Sequence, residues 1–493
     1  MIISKLKLTT YDKFSIPVKL FKSVAHIFLP VLVKIMNLSF SRGEFPEILK
    51  IAKITPIFKK GEKNVCNNYR PISSLSFYSK IIERCMANRI VSFFNKFNLF
   101  SEKQFGFLKN RSTQDAVMNF TENVYDALNQ SKHNVSILID LKSAFDTVNH
   151  DILLEKLELY GIRGFVLDWF RTYLCDRKFK VSVNNISSST RTVNIGIPQG
   201  SILGPLLFII YNNDLPSISD KISTTLFADD TNFSVSHSNY DILVNTLNNE
   251  LSKILDWTVA NRLTINYSKT EAMLFSNRKN AINFENRVSL NGIPLNYVNS
   301  ARFLGVMIDN NLNFKSHIDN LVNKVSKLAG ILYKIKDCFP ISTKLMYYNS
   351  FVLPHLTYNI LHWGGTNDVH LQSLIVLQKR IVRTIANANF YDHTSPLFFK
   401  FKILKLKDLY RYYAVLDAHN KIKNGLYSVS HDRRTRNCNL ALPKFHRLTR
   451  SQQSCTFKGP SYWNEIPNNI RDIESISSFK NEVKSYYINL YIS

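Results

Sequence analysis

Two spacings of apolar positions divide the chain. IAKITPIFKK, residues 51–60, alternates, is β-branched and runs into the turn signal Lys60-Gly61-Glu62, which predicts a strand. Residues 76–98 return to helical spacing. NVSILIDL, residues 134–141, is a short apolar run that includes Asp140, and it predicts a buried strand. DILLEKLELYG, 151–161, predicts an amphipathic helix stopped by Gly161, and KFKVSVNN, 178–185, alternates into a turn. GPLLFIIYNNDLP, 204–216, follows a Pro-Gln-Gly turn and reads as a buried helix. Residues 15–40 read as helical. Within them SVAHIFLPVLVKIM is short and interrupted by Lys34, which predicts a buried helix and no bilayer span.

TTLFADDTNFSV, residues 224–235, predicts a hairpin with Asp229 and Asp230 at or just inside its tip. Leu243, Leu247, Leu251, Ile254 and Leu255 then mark a helix with one apolar face. From about residue 317 the pattern is mostly helical. Ile318, Leu321, Val325, Leu328 and Leu332 form a core stripe, with Lys324, Lys327 and Lys334 on the other side, a face either solvated or suited to a phosphate backbone. Residues 430–493 carry more Arg, Ser and Asn, with less obvious periodicity.

Composition sharpens this picture. At 45% apolar, the 493 residues can form substantial cores, and the length suits roughly three domains. Lys and Arg number 63 against 37 acidic residues, a formal net charge of +26, which favours a nucleic-acid partner over a membrane surface. If many phosphates are contacted, binding should weaken steeply with salt. Cysteines 66, 85, 175, 338, 438 and 455 form no Cys-x-x-Cys pair, which suits a reducing compartment. His431, Cys438, His446 and Cys455 have zinc-site residue types at the wrong spacing. MIISKLKLTT lacks the apolar core of a secretory signal.

Adjacent carboxylates between apolar runs repel each other and are costly to bury unpaired. Alone, Asp229 and Asp230 fit an exposed turn. Asp140, however, closes SILID as Asp229 closes TLFAD. Two neighbouring strands ending in Asp can aim their carboxylates at one point. Such a cluster suits two Mg²⁺ ions, hard cations that seek oxygen and sit about 3.5–4 Å apart in two-metal sites.

The ordered segments YRPISSLSFYSKIIE, QFGFLKNRST, DLKSAFDTVNH, GIPQGSILGPLLF, FADD, NYSKTEAMLF and FLGVMID resemble the reverse transcriptases of non-LTR (LINE-type, jockey-like) retrotransposons. The resemblance covers about residues 10–335 firmly and the tail loosely. It implies Asp140 and Asp229 as principal metal ligands, with Asp230 weaker or behind them. Phe145 would stand where a ribose 2′-hydroxyl would lie and so select deoxynucleotides. Arg70, with Lys59 or Lys60, would hold the triphosphate. Pro198, Gln199 and Gly200 would form the loop under template and nucleotide. Lys269 is the candidate proton donor to pyrophosphate, or a surface lysine. Phe303, Leu304 and Gly305 would grip the primer end, or belong to the core.

The implied architecture is α+β, a right-hand polymerase with a ferredoxin-like palm, fingers, a helical thumb and a small C-terminal region. The expected divisions are an N-terminal helical extension at 1–38, fingers and palm at 39–309, thumb and connection at 310–429, and the remainder at 430–493. The implied partners are an RNA template, a DNA primer or target and a dNTP, with Mg²⁺, or Mn²⁺ in its place, as cofactor and no membrane. Oligomeric state is left open. The implied location is cytoplasmic on synthesis and nuclear at the point of action. Lys13 stands where the family favours Gly, and no endonuclease segment or terminal Cys/His knuckle fits, so a truncated or degraded reading frame without target cutting is expected. The rival readings are a catalytically silent, retroelement-derived RNA-binding protein and an intron maturase.

Overall fold

The strand His133–Ile139 lies at the middle of the central sheet. It pairs antiparallel with Asp230–His237 on one side and with Glu271–Phe275 on the other. Ser223–Phe227 closes one edge, hairpinned to Asp230–His237, and Asn296–Tyr297 adds a short parallel strand at the other. Numbered in chain order, the four main strands run 4-1-3-2, the ferredoxin-like arrangement that the sequence implied. Side chains alternate across the sheet. Val135, Ile137, Ile139, Phe233 and Val235 pack with Leu243, Leu247, Leu251 and Ile254 of the helix Tyr240–Ala260. Thr113–Asn129, started by a Ser112–Asp115 capping box, packs against the sheet through a different core and donates from Asn119 to Thr225 at 2.6 Å. The computed structural model describes residue 3 and residues 17–184, 186–277, 287–427, 440–443 and 446–492. Lys13, His431 and Cys438 lie outside the described residues.

A second sheet stands N-terminal to the first. Ile51–Phe58 pairs antiparallel with Tyr69–Ser74 and parallel with Arg177–Val183. Beneath it the helices Phe77–Lys96, His150–Leu159, Phe165–Leu174 and Gly204–Tyr211 enclose Phe77, Phe94, Trp169 and Phe208, all fully buried. The apolar run at 204–211 is buried on every side, as expected.

The other apolar run departs from expectation. Ala25–Arg42 is helical, but only Leu32, Met36 and Ser39 are buried, while Ile27, Phe28, Val31 and Ile35 are 61%, 52%, 59% and 47% exposed. Its buried side meets Phe165–Leu174, with Trp169 donating to Ser39 at 3.0 Å, and the core behind is already filled by aromatic rings. Apolarity on all sides of a helix does not supply a partner for all sides.

Helices from Lys315–Lys334 onward form the C-terminal part. His317, Ile318, Leu321, Val325, Ala329 and Leu332 of the first helix are buried, with Leu328 only partly so. Among the described residues the tail shares its core with these helices. Trp463, Ile466, Phe479, Val483 and Tyr487 enter the same core as those helices. Thr456 also donates to Glu122 of the helix Thr113–Asn129 at 2.8 Å. Among the described residues no helix is long and apolar enough to cross a membrane.

Candidate active site

Strand pairing brings the sequence-distant acids together. Ile139 lies opposite Thr231 where the ladder ends, so Asp140 follows one strand as Asp230 begins the other, near enough for the Asp140 charge to act on Asp230. Phe227 pairs with Asp230, leaving Ala228 and Asp229 as a two-residue turn. Ala228 has φ 58°, a conformation that alanine adopts only under constraint. The constraint comes from Gln104, which is completely buried. Its Oε1 accepts from the backbone N–H of Ala228 at 3.1 Å and of Gly106 at 2.8 Å. Phe105 donates to the Leu226 carbonyl, and Leu226 donates to that of Lys103. A Cβ on Gly106 would sit 2.6 Å from the Ala228 nitrogen, so the strap fits only with glycine there. Asp140 is held from the other side. Asn266 donates from Nδ2 to Asp140 Oδ2 at 2.8 Å, and from its backbone N–H to the Asp140 carbonyl. Lys269 Nζ lies 3.4 Å from the same carboxylate oxygen.

The electrostatics follow from this crowding. Asp229 and Asp230 reach solvent at the tip, yet protein surrounds them closely enough to desolvate them in part. That desolvation is the main force raising the Asp229 carboxyl; Asp140 adds to it, while Arg70 opposes it. Asp230 is pushed up to about 6 by partial burial, then by Asp229 and Asp140. Among the described residues no three His, Cys, Asp or Glu side chains are gathered tightly enough to cage an ion on their own. Mg²⁺ at nucleotide sites is usually held by one or two carboxylates plus substrate phosphates, not by an all-protein cage. Asp140 and Asp229, two oxygen donors facing one cavity and repelling each other, fit that requirement.

The cavity measures 1620 Å³ and lies between the two sheets. Asp140, Asp229 and Lys269 line it, together with Lys59, Lys60, Arg70, Phe145, Pro198, Gln199 and Gly200, so residues from five segments converge there. Phe145 stacks on Phe208 with centroids 4.5 Å apart, which fixes its ring at the cavity wall. Gly200 has φ 120°, and a Cβ there would lie 2.4 Å from the Ser73 carbonyl oxygen. Its close approach is therefore to the N-terminal sheet, where Ser73 donates to the Gln199 carbonyl at 2.7 Å.

Phe303, Leu304 and Gly305 lie outside this cavity lining, as does Asp230. Phe303 is core. Leu304 and Gly305 turn the hairpin Ser300–Phe303/Val306–Asp309, and Tyr358 closes it by donating to the Leu304 carbonyl at 2.7 Å. Sequence reasoning missed Gln104, Asn266 and Asp146 as site residues. QFGF and NYSKTE contain the first two, but their contacts lie 124 and 126 residues away.

Residues 57–308 match the family model described as reverse transcriptase (RNA-dependent DNA polymerase). The chain belongs to the reverse transcriptase family. It is 29% identical over 406 residues to the RNA-directed DNA polymerase from mobile element jockey of Drosophila funebris, covering 79% of this chain and 44% of that one. It is 30% identical over 371 residues to the probable RNA-directed DNA polymerase from transposon BS of Drosophila melanogaster, covering 72% and 40%. The chain thus spans less than half the length of these curated relatives. A solved telomerase structure from Candida albicans aligns with a TM-score of 0.42 at 12% identity, covering 79% of this chain and 69% of that one. Divalent metal ions are general to the reverse transcriptase family.

Proposed function

We propose that the chain is an RNA-directed DNA polymerase of a jockey-like non-LTR retrotransposon, extending a DNA primer on an RNA template from deoxynucleoside triphosphates. The observation that carries this reading is the single cavity into which Asp140, Asp229, Phe145, Gln199 and Arg70 all open, inside a chain of this family. Asp140 and Asp229, with Asp230 behind them, would hold two Mg²⁺ ions, or Mn²⁺ in their place. When bound, the ions supply charge neutralisation on the phosphates and acidify the primer 3′-hydroxyl.

The chain's own residues do the rest. Arg70, Lys59 and Lys60 draw the triphosphate in and hold it in line, which is most of what phosphoryl transfer asks of a protein. Phe145, backed by Phe208, denies space to a ribose 2′-hydroxyl. Pro198, Gln199 and Gly200 support the nucleotide and template. Lys269 stands beside Asp140 to protonate departing pyrophosphate. Phe303 anchors its hairpin in the core, and the turn Leu304–Gly305 steadies the primer end. In its domain plan, fingers and palm occupy residues 39–309, and a helical thumb follows. Synthesis in the cytoplasm and action in the nucleus complete the reading.

The experiment is extension of a DNA primer on an RNA template, with and without Mg²⁺, and with deoxy- against ribonucleotides. Metal-dependent extension preferring deoxynucleotides is expected. RNA binding without extension would instead indicate a silent RNA-binding descendant, and RNA-stimulated splicing a maturase.

A further inference from the structure

Gln199 is fixed more firmly than a loop residue requires. Gly196 has φ 80° and packs so tightly on the turn Ala144–Asp146 that a Cβ would lie 2.6 Å from the Asp146 carbonyl oxygen. Ile197 donates to the Phe145 carbonyl, and Gly196 to that of Val148, both at 2.8 Å. At the loop's far end Gln199 accepts from Ser73 through its backbone carbonyl. Between these anchors, Gln199 Nε2 donates to both oxygens of Asp146, at 2.8 Å and 3.0 Å. An ionised carboxylate only accepts hydrogen bonds, so the amide can face it only with its NH₂ end. The carbonyl oxygen Oε1 must then point the other way, and among the described residues no donor is bonded to it. Both side chains line the cavity.

We propose that Asp146 is a positioning residue which locks the Gln199 amide in one flip, so that the cavity offers an acceptor to a hydrogen-bond donor on the incoming nucleotide. The inference rests on the polymerase reading for its ligand. Asp146 touches no substrate in this arrangement; it acts only through Gln199. A fixed acceptor discriminates because a nucleotide lacking the matching donor leaves Oε1 unpaired.

The test is a double-mutant cycle on the full chain. The affinity of a dNTP complementary to the template base is measured on a primer–template terminated so that no extension occurs. Extension constants are measured separately. Asp146→Asn keeps the shape but both donates and accepts, so either flip of Gln199 is held. It should weaken nucleotide affinity and raise KM about tenfold, with kcat changed less than about threefold. Asp146→Glu keeps an acceptor and should recover most of the loss. In a Gln199→Ala background Asp146→Asn should change affinity less than about twofold. Wild-type affinity in Asp146→Asn, or an equal loss in both backgrounds, overturns the proposal. Loss of the melting transition in Asp146→Asn alone moves the decision to Asp146→Glu, where failure to recover affinity also overturns it. A wild-type chain that binds nucleotide without extending primer sinks the polymerase reading and leaves the cycle to decide on Asp146.

Discussion

Among the hairpins with two-residue turns, two are built for opposite ends. The turn Ala228–Asp229 puts carboxylates at a cavity mouth, where they repel one another, and its backbone is held by Gln104, a side chain from elsewhere in the fold. The turn Leu304–Gly305 puts apolar Phe303 into the core and is closed by Tyr358. Its one acid is used internally. Asp309 is buried and accepts from the backbone N–H groups of Asn311, Asn313 and Phe314. The first hairpin carries unfavourable charge that the fold must restrain. In the second, Phe303 and Asp309 are used inside the protein and should give mainly stability. Changing Asp229 and changing Phe303 should therefore separate activity from folding.

The largest effect is expected at the first tip. Asp229→Asn should lower extension by about a thousandfold or more, since the proposed ion site loses one of its two facing carboxylates. Its melting temperature should stay level or rise, because a repulsive charge is gone. A large drop in melting temperature would make Asp229 a structural acid. Phe303→Ala should do the reverse, costing about 3–5 kcal/mol in denaturant unfolding while extension per folded molecule stays near wild type. Gly106→Ala tests the strap between these extremes. Its Cβ meets the backbone of Phe227 and Ala228, so the tip must shift. Extension should fall about a hundredfold with only a modest loss of stability. Wild-type rates in Gly106→Ala would show that the tip tolerates displacement.

The same contrast explains what could be read along the chain. The acids were visible because each ends an apolar strand run, and strand period is a local property. The ferredoxin-like palm was implied by the family resemblance that the ordered motifs carry, and its 4-1-3-2 strand order came only with the fold. Gln104, Asn266 and Asp146 were not legible as a set, because each acts through a hydrogen bond to a partner that only the fold brings near. The helix Ala25–Arg42 was misread for a related reason. Its run is apolar like that of Gly204–Tyr211, but which runs find a partner is decided by tertiary packing. Part of the tail was hidden because Trp463 and Ile466 lie at the end of a short helix interrupted by Pro460, whereas Phe479, Val483 and Tyr487 recur every fourth residue of Ile476–Asn489, a stripe that the sequence does carry.

The smallest expected effect is also the most direct reading of the repulsion. Asp230 binds its proton more tightly in the folded chain, to about 6, than the ordinary carboxyl at 3.8. Between those values the folded state holds more protons than the unfolded one. Metal-free stability from this group is therefore fully present below the unfolded value and lost as pH rises through about 6. Asp230→Asn cannot lose that proton, so the melting-temperature gap between variant and wild type should widen from pH 4 towards pH 7 without divalent ions. The acid is partly exposed, so the gap should be small and shrink in high salt. Added Mg²⁺ should narrow it, because an ion held by Asp140 and Asp229 also offsets the Asp230 charge, which the variant lacks. A gap that is flat across this range, or unmoved by Mg²⁺, would mean that the three carboxylates do not share one field, and the first hairpin would then differ from the second in shape alone.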